Sequence, residues 1–182
     1  MTEIKFGTDG WRAVIGEAFT FDNLDRVAQA TADYWTTNPV PGTKKRVVVG
    51  YDRRFLSDRF AVRTAEVLAG NGFEVALTSE PTPTPAVSLA VKAQEAVGGV
   101  MITASHNPAI FNGFKIKAFY GGSADPGICR GVEGLLDRTP VRSLPLAEGV
   151  RTRQVQRQGL RQAHYRAIKK LVDFPLIRKS GI

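Results

Sequence analysis

Arg46-Val47-Val48-Val49-Gly50-Tyr51 and Phe73-Glu74-Val75-Ala76-Leu77-Thr78 flank a segment that opens with Ser57-Asp58 and carries Phe60, Ala61, Ala65 and Leu68 at helical spacing. The first run is apolar without alternation and rich in β-branched residues, so it reads as a strand covered on both faces. Ser57-Asp58 can cap the helix between the runs, and Gly70-Asn71-Gly72 stops it. Strand, helix and strand in this order make a parallel pair joined by a crossover. Toward the N-terminus, Thr20 caps a predicted helix over about 21–36 with Leu24, Val27, Ala28, Thr31 and Tyr34 on one face, ended by Asn38-Pro39-Val40-Pro41-Gly42. Downstream, Pro81-Thr82-Pro83-Thr84-Pro85 is a stiff connector into a helix over about 85–95. Gly98 to Ala104 is a further buried strand that runs into the polar turn Ser105-His106-Asn107-Pro108. Phe114 to Phe119 alternates as a strand, and a helix over about 125–138 follows Gly121-Gly122. The alternation predicts an α/β fold, three-layered α/β/α, around a mixed and mostly parallel sheet.

The chain of 182 residues is 43% hydrophobic and 23% charged, enough for one domain of ordinary size and a short extension. It has no apolar run long enough to span a bilayer, and Met1-Thr2-Glu3-Ile4-Lys5 lacks the apolar stretch of a secretory signal. The single cysteine, Cys129, offers neither an internal disulfide nor a metal cluster, so a reduced, cytoplasmic setting is expected. The net charge of +8 is unevenly placed: residues 1–150 hold 16 basic and 16 acidic side chains, and residues 151–182 hold 9 and 1. The main body therefore has no excess charge with which to attract nucleic acid. A basic arm is the alternative for the tail, but Tyr165 and Phe174 are its only aromatics. Residues 139–152 read as a linker or edge segment, and 154–173 as a helix with Leu160, His164, Ile168, Leu171 and Val172 on one face. A strand-like start follows at the terminus. The expected division is one domain over 1–150 and, over 151–182, a basic helix opening a second, as in a fragment of a longer chain.

Ser105 sits where a strand ends, and in open α/β sheets ligands bind beyond the carboxyl ends of strands. A serine presented there can be a nucleophile or a phosphate carrier, or a turn residue that caps its own backbone. A serine-hydrolase site fits poorly, because the G-x-S-x-G elbow is missing and His106 is the adjacent residue. Taken singly, Arg12 is also readable as a surface ion pair, Lys115 and Lys117 as solvent-facing strand residues, and His106 as a turn histidine.

Taken together, four stretches resemble one family. Thr103-Ala104-Ser105-His106-Asn107-Pro108 followed by Asn112-Gly113-Phe114-Lys115-Ile116-Lys117 is similar to the active-serine loop of the α-D-phosphohexomutases, the phosphoglucomutase/phosphomannomutase family. Phe6-Gly7-Thr8-Asp9-Gly10-Trp11-Arg12-Ala13 resembles its opening motif, Gly50-Tyr51-Asp52-Arg53-Arg54 its second strand-end motif, and Pro81 to Pro85 the connector after it. The resemblance implies that Ser105 carries a phosphoryl group, donates it to a hexose 1- or 6-phosphate and regains one from a hexose 1,6-bisphosphate intermediate. It implies Lys115 as general acid/base or charge stabiliser, Arg12 as an arginine near the phosphoserine, and His106 as an aid to proton transfer. Phosphoryl transfer needs positioning and cations around developing charge, which agrees with Arg12 and Lys115.

The departures are as specific. The family holds one Mg²⁺ between the phosphoserine and an Asp-Gly-Asp-Gly-Asp loop, and no such loop occurs here, so Ser105 is the one metal position the resemblance assigns. The Gly-Glu-x-Ser-Gly-His sugar motif and the Arg-x-Ser-Gly-Thr phosphate loop are also missing. The resemblance thus reaches the first of four family domains and the opening helix of the second. It implies a hexose phosphate and the remaining domains as partners, and little turnover from these 182 residues alone. A glucosamine-phosphate enzyme and a stand-alone, non-catalytic domain are the other readings.

Overall fold

The computed structural model describes residues 3–7 and 10–181. Thr8 and Asp9 of the opening motif lie outside the described residues. Strands β1 (Trp11–Val14), β2 (Lys44–Tyr51), β3 (Glu74–Thr78), β4 (Ala96–Ile102), β5 (Phe111–Ala118) and β6 (Val155–Gln158) form one sheet in the order β1-β5-β4-β2-β3-β6. Strands β4, β2, β3 and β6 are parallel, and β5 is antiparallel to both β4 and β1. This is the mixed, mostly parallel sheet expected from the alternation of strands and helices.

Helices α1 (Phe21–Thr37), α2 (Ser57–Gly70), α3 (Thr84–Ala93), α4 (Pro126–Gly134) and α5 (Leu146–Arg151) cover the sheet, followed by α6 (Arg161–Leu171) and α7 (Phe174–Lys179). The crossover from β2 through α2 to β3 and that from β3 through α3 to β4 travel in opposite directions along the sheet. Right-handed crossovers then put α2 and α3 on opposite faces. The core agrees: Val47 and Val49 of β2 join the cluster of Leu24, Phe60 and Leu68 from α1 and α2, while Val48 joins Val87 and Val91 of α3. The uninterrupted valine run is what two covered faces demand. Gly98 of β4 admits Trp35, since a Cβ there would stand 2.5 Å from the indole.

Several local expectations change. Thr20 caps α1, accepting the Asn23 N–H at 3.2 Å. Ser57 does not cap α2: the preceding residue is Leu56 in a left-handed conformation, and the Ser57 hydroxyl donates to Asp52 Oδ1 at 2.8 Å. Residues 154–173 are not one helix. Their first part is β6, which pairs in parallel with β3, Val75 opposite Val155, so the expected division at 150/151 cuts a strand off from its sheet. Residues 139–152, expected as a linker or edge segment, contain α5, the helix expected over 125–138 stops at Gly134, and the terminus expected to start a strand holds the short helix α7. No side chain of α6 or α7 is buried. Among the described residues no helix is long and apolar enough to cross a membrane.

Candidate active site at the carboxyl edge of the sheet

The parallel neighbours β4 and β2 end side by side, and the antiparallel β5 begins at the same edge. This brings the loop after β4 (residues 103–110), the turn after β2 (Asp52 to Leu56) and the first residues of β5 together. Ser105 lies exposed on the first of these, with φ 55°, a left-handed conformation that costs a non-glycine residue roughly 1–2 kcal/mol. Local hydrogen bonds hold it there. The Ser105 N–H donates to Thr103 Oγ1 at 3.0 Å, and the Thr103 hydroxyl donates to Asp52 Oδ2 at 2.5 Å. Asn107 N–H closes the turn on the Ala104 carbonyl at 3.1 Å.

Lys115 supplies the cation. Strand β5 alternates, with Phe114 and Ile116 in the core shared with α1 and α2, so Lys115 and Lys117 take the opposite face. That face is not solvent: Lys115 is 3% exposed and Lys117 4%. Lys117 Nζ donates to Ser123 Oγ at 3.0 Å, and Lys115 Nζ donates to Ser105 Oγ at 2.7 Å. A buried ammonium on an exposed hydroxyl stabilises negative charge on that oxygen and can exchange a proton with it.

Arg12 shares the Lys115 face. It pairs with Gly113 across the β1–β5 ladder, and its Nη1 donates to Asn107 Oδ1 at 3.0 Å. Gly113 makes the approach possible, because a Cβ there would lie 2.7 Å from the Thr103 carbonyl oxygen and 3.0 Å from Arg12 Cγ. His106 is exposed beside Ser105, and among the described residues it makes no hydrogen bond. The fold thus joins Ser105 directly to Lys115, ties Arg12 to the same loop through Asn107, and leaves His106 beside the serine by chain connectivity alone.

Two residues quoted in the sequence without an assigned role turn out to organise the edge. The Asp52 carboxylate accepts from Thr103, from Ser57 and from the Arg54 N–H at 3.0 Å, while Arg54 reaches across to the backbone of the serine loop. Asn112 extends the network, its Nδ2 donating to Ser57 Oγ at 2.9 Å. The available signal was position: Asp52 follows a strand that ends where β4 ends.

The described residues do not by themselves build a Mg²⁺ site. Among the described residues no three His, Cys, Asp or Glu side chains converge to hold a metal, and the side chain on Ser105 Oγ is itself a cation. A Mg²⁺ ion at Ser105 requires ligands other than those the described residues bring to it.

Comparison with known proteins gives this edge a lineage. Residues 3–140 match the family model for phosphoglucomutase/phosphomannomutase, alpha/beta/alpha domain I. A Schizosaccharomyces pombe protein named "Probable phosphoribomutase" is 38% identical over 143 residues, 76% of this chain and 24% of that protein. A Methylobacillus flagellatus "Phosphoglucosamine mutase" is 33% identical over 159 residues, 85% of this chain and 35% of its own length. The crystal structure of a "putative phosphomannomutase" from Thermus thermophilus superposes with a TM-score of 0.82 at 38% identity, covering 96% of this chain and 37% of the other. The chain therefore spans about a quarter to a third of the relatives it matches. It belongs to the phosphoglucomutase/phosphomannomutase family and is built as that family's alpha/beta/alpha domain I.

Proposed function

We propose that Ser105 is the phosphoryl carrier of a phosphohexomutase that interconverts hexose 1- and 6-phosphates through a hexose 1,6-bisphosphate. The observation that carries this reading is the 2.7 Å contact from the buried Lys115 ammonium to the exposed Ser105 hydroxyl. In the forward half-reaction the Oγ–phosphorus bond of phosphoserine breaks as a bond forms to the sugar hydroxyl. Lys115 gives a proton to Ser105 Oγ, and the sugar hydroxyl's proton restores the ammonium, with His106 as the neighbouring group able to pass it. Arg12 holds the loop through Asn107 and adds positive charge where the phosphate sits. The Mg²⁺ that such enzymes use would count the Ser105 phosphate as one ligand and would draw its other ligands from groups beyond the described residues.

The reading includes the absence of appreciable turnover by the 182 residues alone, since the sequence lacks the sugar-binding motifs and the acidic metal loop, and no metal cluster forms among the described residues. Residues after β6 are proposed to open a second domain, and the remaining domains of a longer protein are the proposed partners. The compartment is proposed to be the cytoplasm. Peptide mapping by mass spectrometry of the protein from its native source tests the central claim. Phosphate on the Ser105 peptide is the expected result. Unmodified Ser105, or mutase rates from the 182 residues equal to those of full-length relatives, would overturn the corresponding part. The similarity to a phosphoglucosamine mutase keeps glucosamine phosphate as the second substrate, and side-by-side rates in the full-length protein separate the two.

A further inference from the structure

We infer that Asp52 and Arg54 are positioning residues for Ser105, holding the serine loop in the conformation that sets Oγ on Lys115, and that Arg54 is not itself a ligand of the transferred phosphate. The inference rests on reading Ser105 as the phosphoryl carrier. A guanidinium has five N–H groups and no acceptor. In Arg54, Nη1 donates to the carbonyls of Pro108 at 2.9 Å and Phe111 at 3.1 Å, and Nη2 to those of Ser105 at 2.8 Å and Asn107 at 2.7 Å. Its Nε faces Asp52 Oδ2 at 3.3 Å, and the side chain is only 13% exposed. Both Nη groups are taken up by loop and strand carbonyls and Nε stands against Asp52, which leaves neither end of the fork for an incoming anion.

The acceptors explain the function. Four carbonyls from residues 105, 107, 108 and 111 converge on one point, an arrangement that repels itself unless a cation stands at the centre. The planar fork fixes their directions as well as their distances, which a lysine ammonium does not. Asp52 completes the device from the other side. Its Oδ2 takes the Thr103 hydroxyl, whose oxygen takes the Ser105 N–H. The N–H and the C=O of Ser105 are thus both traced to the end of β2, one through Asp52 and Thr103 and the other through Arg54. A residue pinned at both peptide groups keeps its φ of 55° and the direction of its Cβ, from which Oγ reaches Lys115. Arg53, the next residue back, is exposed and makes no hydrogen bond to the loop among the described residues, which makes it the matched control.

Backbone hydrogen exchange on the 182-residue chain, read residue by residue by NMR, tests this. In Arg54→Lys the Ser105 and Asn107 amides should exchange about tenfold faster, while the β4 amides of Val100 and Ile102 stay at wild-type rates. Thr103→Val should speed Ser105 to a similar degree and Thr103→Ser should restore it, and this pair decides the matter if Arg54→Lys fails to fold. Arg53→Lys should change nothing. Ser105 exchange within about twofold of wild type in Arg54→Lys or Thr103→Val, or equal acceleration at Ser105 and across β4, would overturn the inference by showing no local role. Absence of phosphate from wild-type Ser105 would instead refute the carrier reading, and the exchange data would still decide whether Asp52 and Arg54 position the serine.

Discussion

Replacing Gly113 with alanine probes the register that puts Arg12 and Lys115 on one face. Strand β5 is paired on both sides, to β1 and to β4, so its backbone has no direction in which to retreat. A Cβ at Gly113 would lie 2.7 Å from the Thr103 carbonyl oxygen, 2.9 Å from the Trp11 carbonyl oxygen and 3.0 Å from Arg12 Cγ. Two of the three are backbone atoms of paired neighbours, and the Thr103 N–H itself donates to the Gly113 carbonyl at 3.0 Å. Overpacking of this kind costs about 1–3 kcal/mol, offset by roughly 0.4–1 kcal/mol from the stiffer unfolded chain. The net expectation is a loss of about 1–2 kcal/mol, or a fall in Tm of about 2–8 °C for a chain of this size. Gly134→Ala is the control, because a Cβ there meets nothing within 4 Å. Urea unfolding followed by circular dichroism measures both. A Gly113→Ala midpoint equal to that of wild type and of Gly134→Ala would refute the three-strand packing that assembles the site.

Other consequences follow from the same structure. Phe60, 1% exposed and edge-on to Phe19 at 4.9 Å, should cost about 3–5 kcal/mol on replacement by alanine, read from the urea midpoint. Ending the chain after Leu160 removes α6 and α7, which bury no side chain, together with the Arg161–Glu80 ion pair, so stability should fall by no more than about 1 kcal/mol. The Arg26 guanidinium, bonded to both oxygens of Asp137 at 2.7 and 2.6 Å, holds that carboxyl below the usual carboxylate range. A depressed folded-state value means stability that is present at neutral pH and lost as the pH falls through the acid range below about 4. With Asp137 38% exposed, the loss is under about 1 kcal/mol, and Asp137→Asn should flatten that part of the acid-unfolding profile.

Much of the fold was legible because its elements are long and strongly patterned. The α1 periodicity, the Thr20 cap and the valine run of β2 each act over neighbouring residues, and each predicts its element within a few positions. Strands β1 and β6 were missed for the opposite reason: each has four residues and only one buried side chain, Trp11 and Val155, so neither carries a pattern. Val155 to Gln158 forms a strand because β3 offers an open edge to pair with, which is a property of the partner. Ser57 shows the same limit at one residue: its position suits a cap, yet Asp52 competes for its hydroxyl and takes it.

For the candidate site, the sequence by itself determined that Ser105 follows a buried strand, that Lys115 alternates with core residues, and that both stand in motifs shared with phosphohexomutases. Chain-local physics reaches that far because strand ends, turns and alternation are set by adjacent residues. Only the tertiary structure decided that the Lys115 face is buried, that its ammonium ends on the Ser105 hydroxyl, and that Arg54 gathers three carbonyls of the serine loop and one of β5. Those contacts join residues 10 to 57 positions apart across parallel and antiparallel neighbours. Their geometry comes from the order of strands in the sheet, which no single segment encodes.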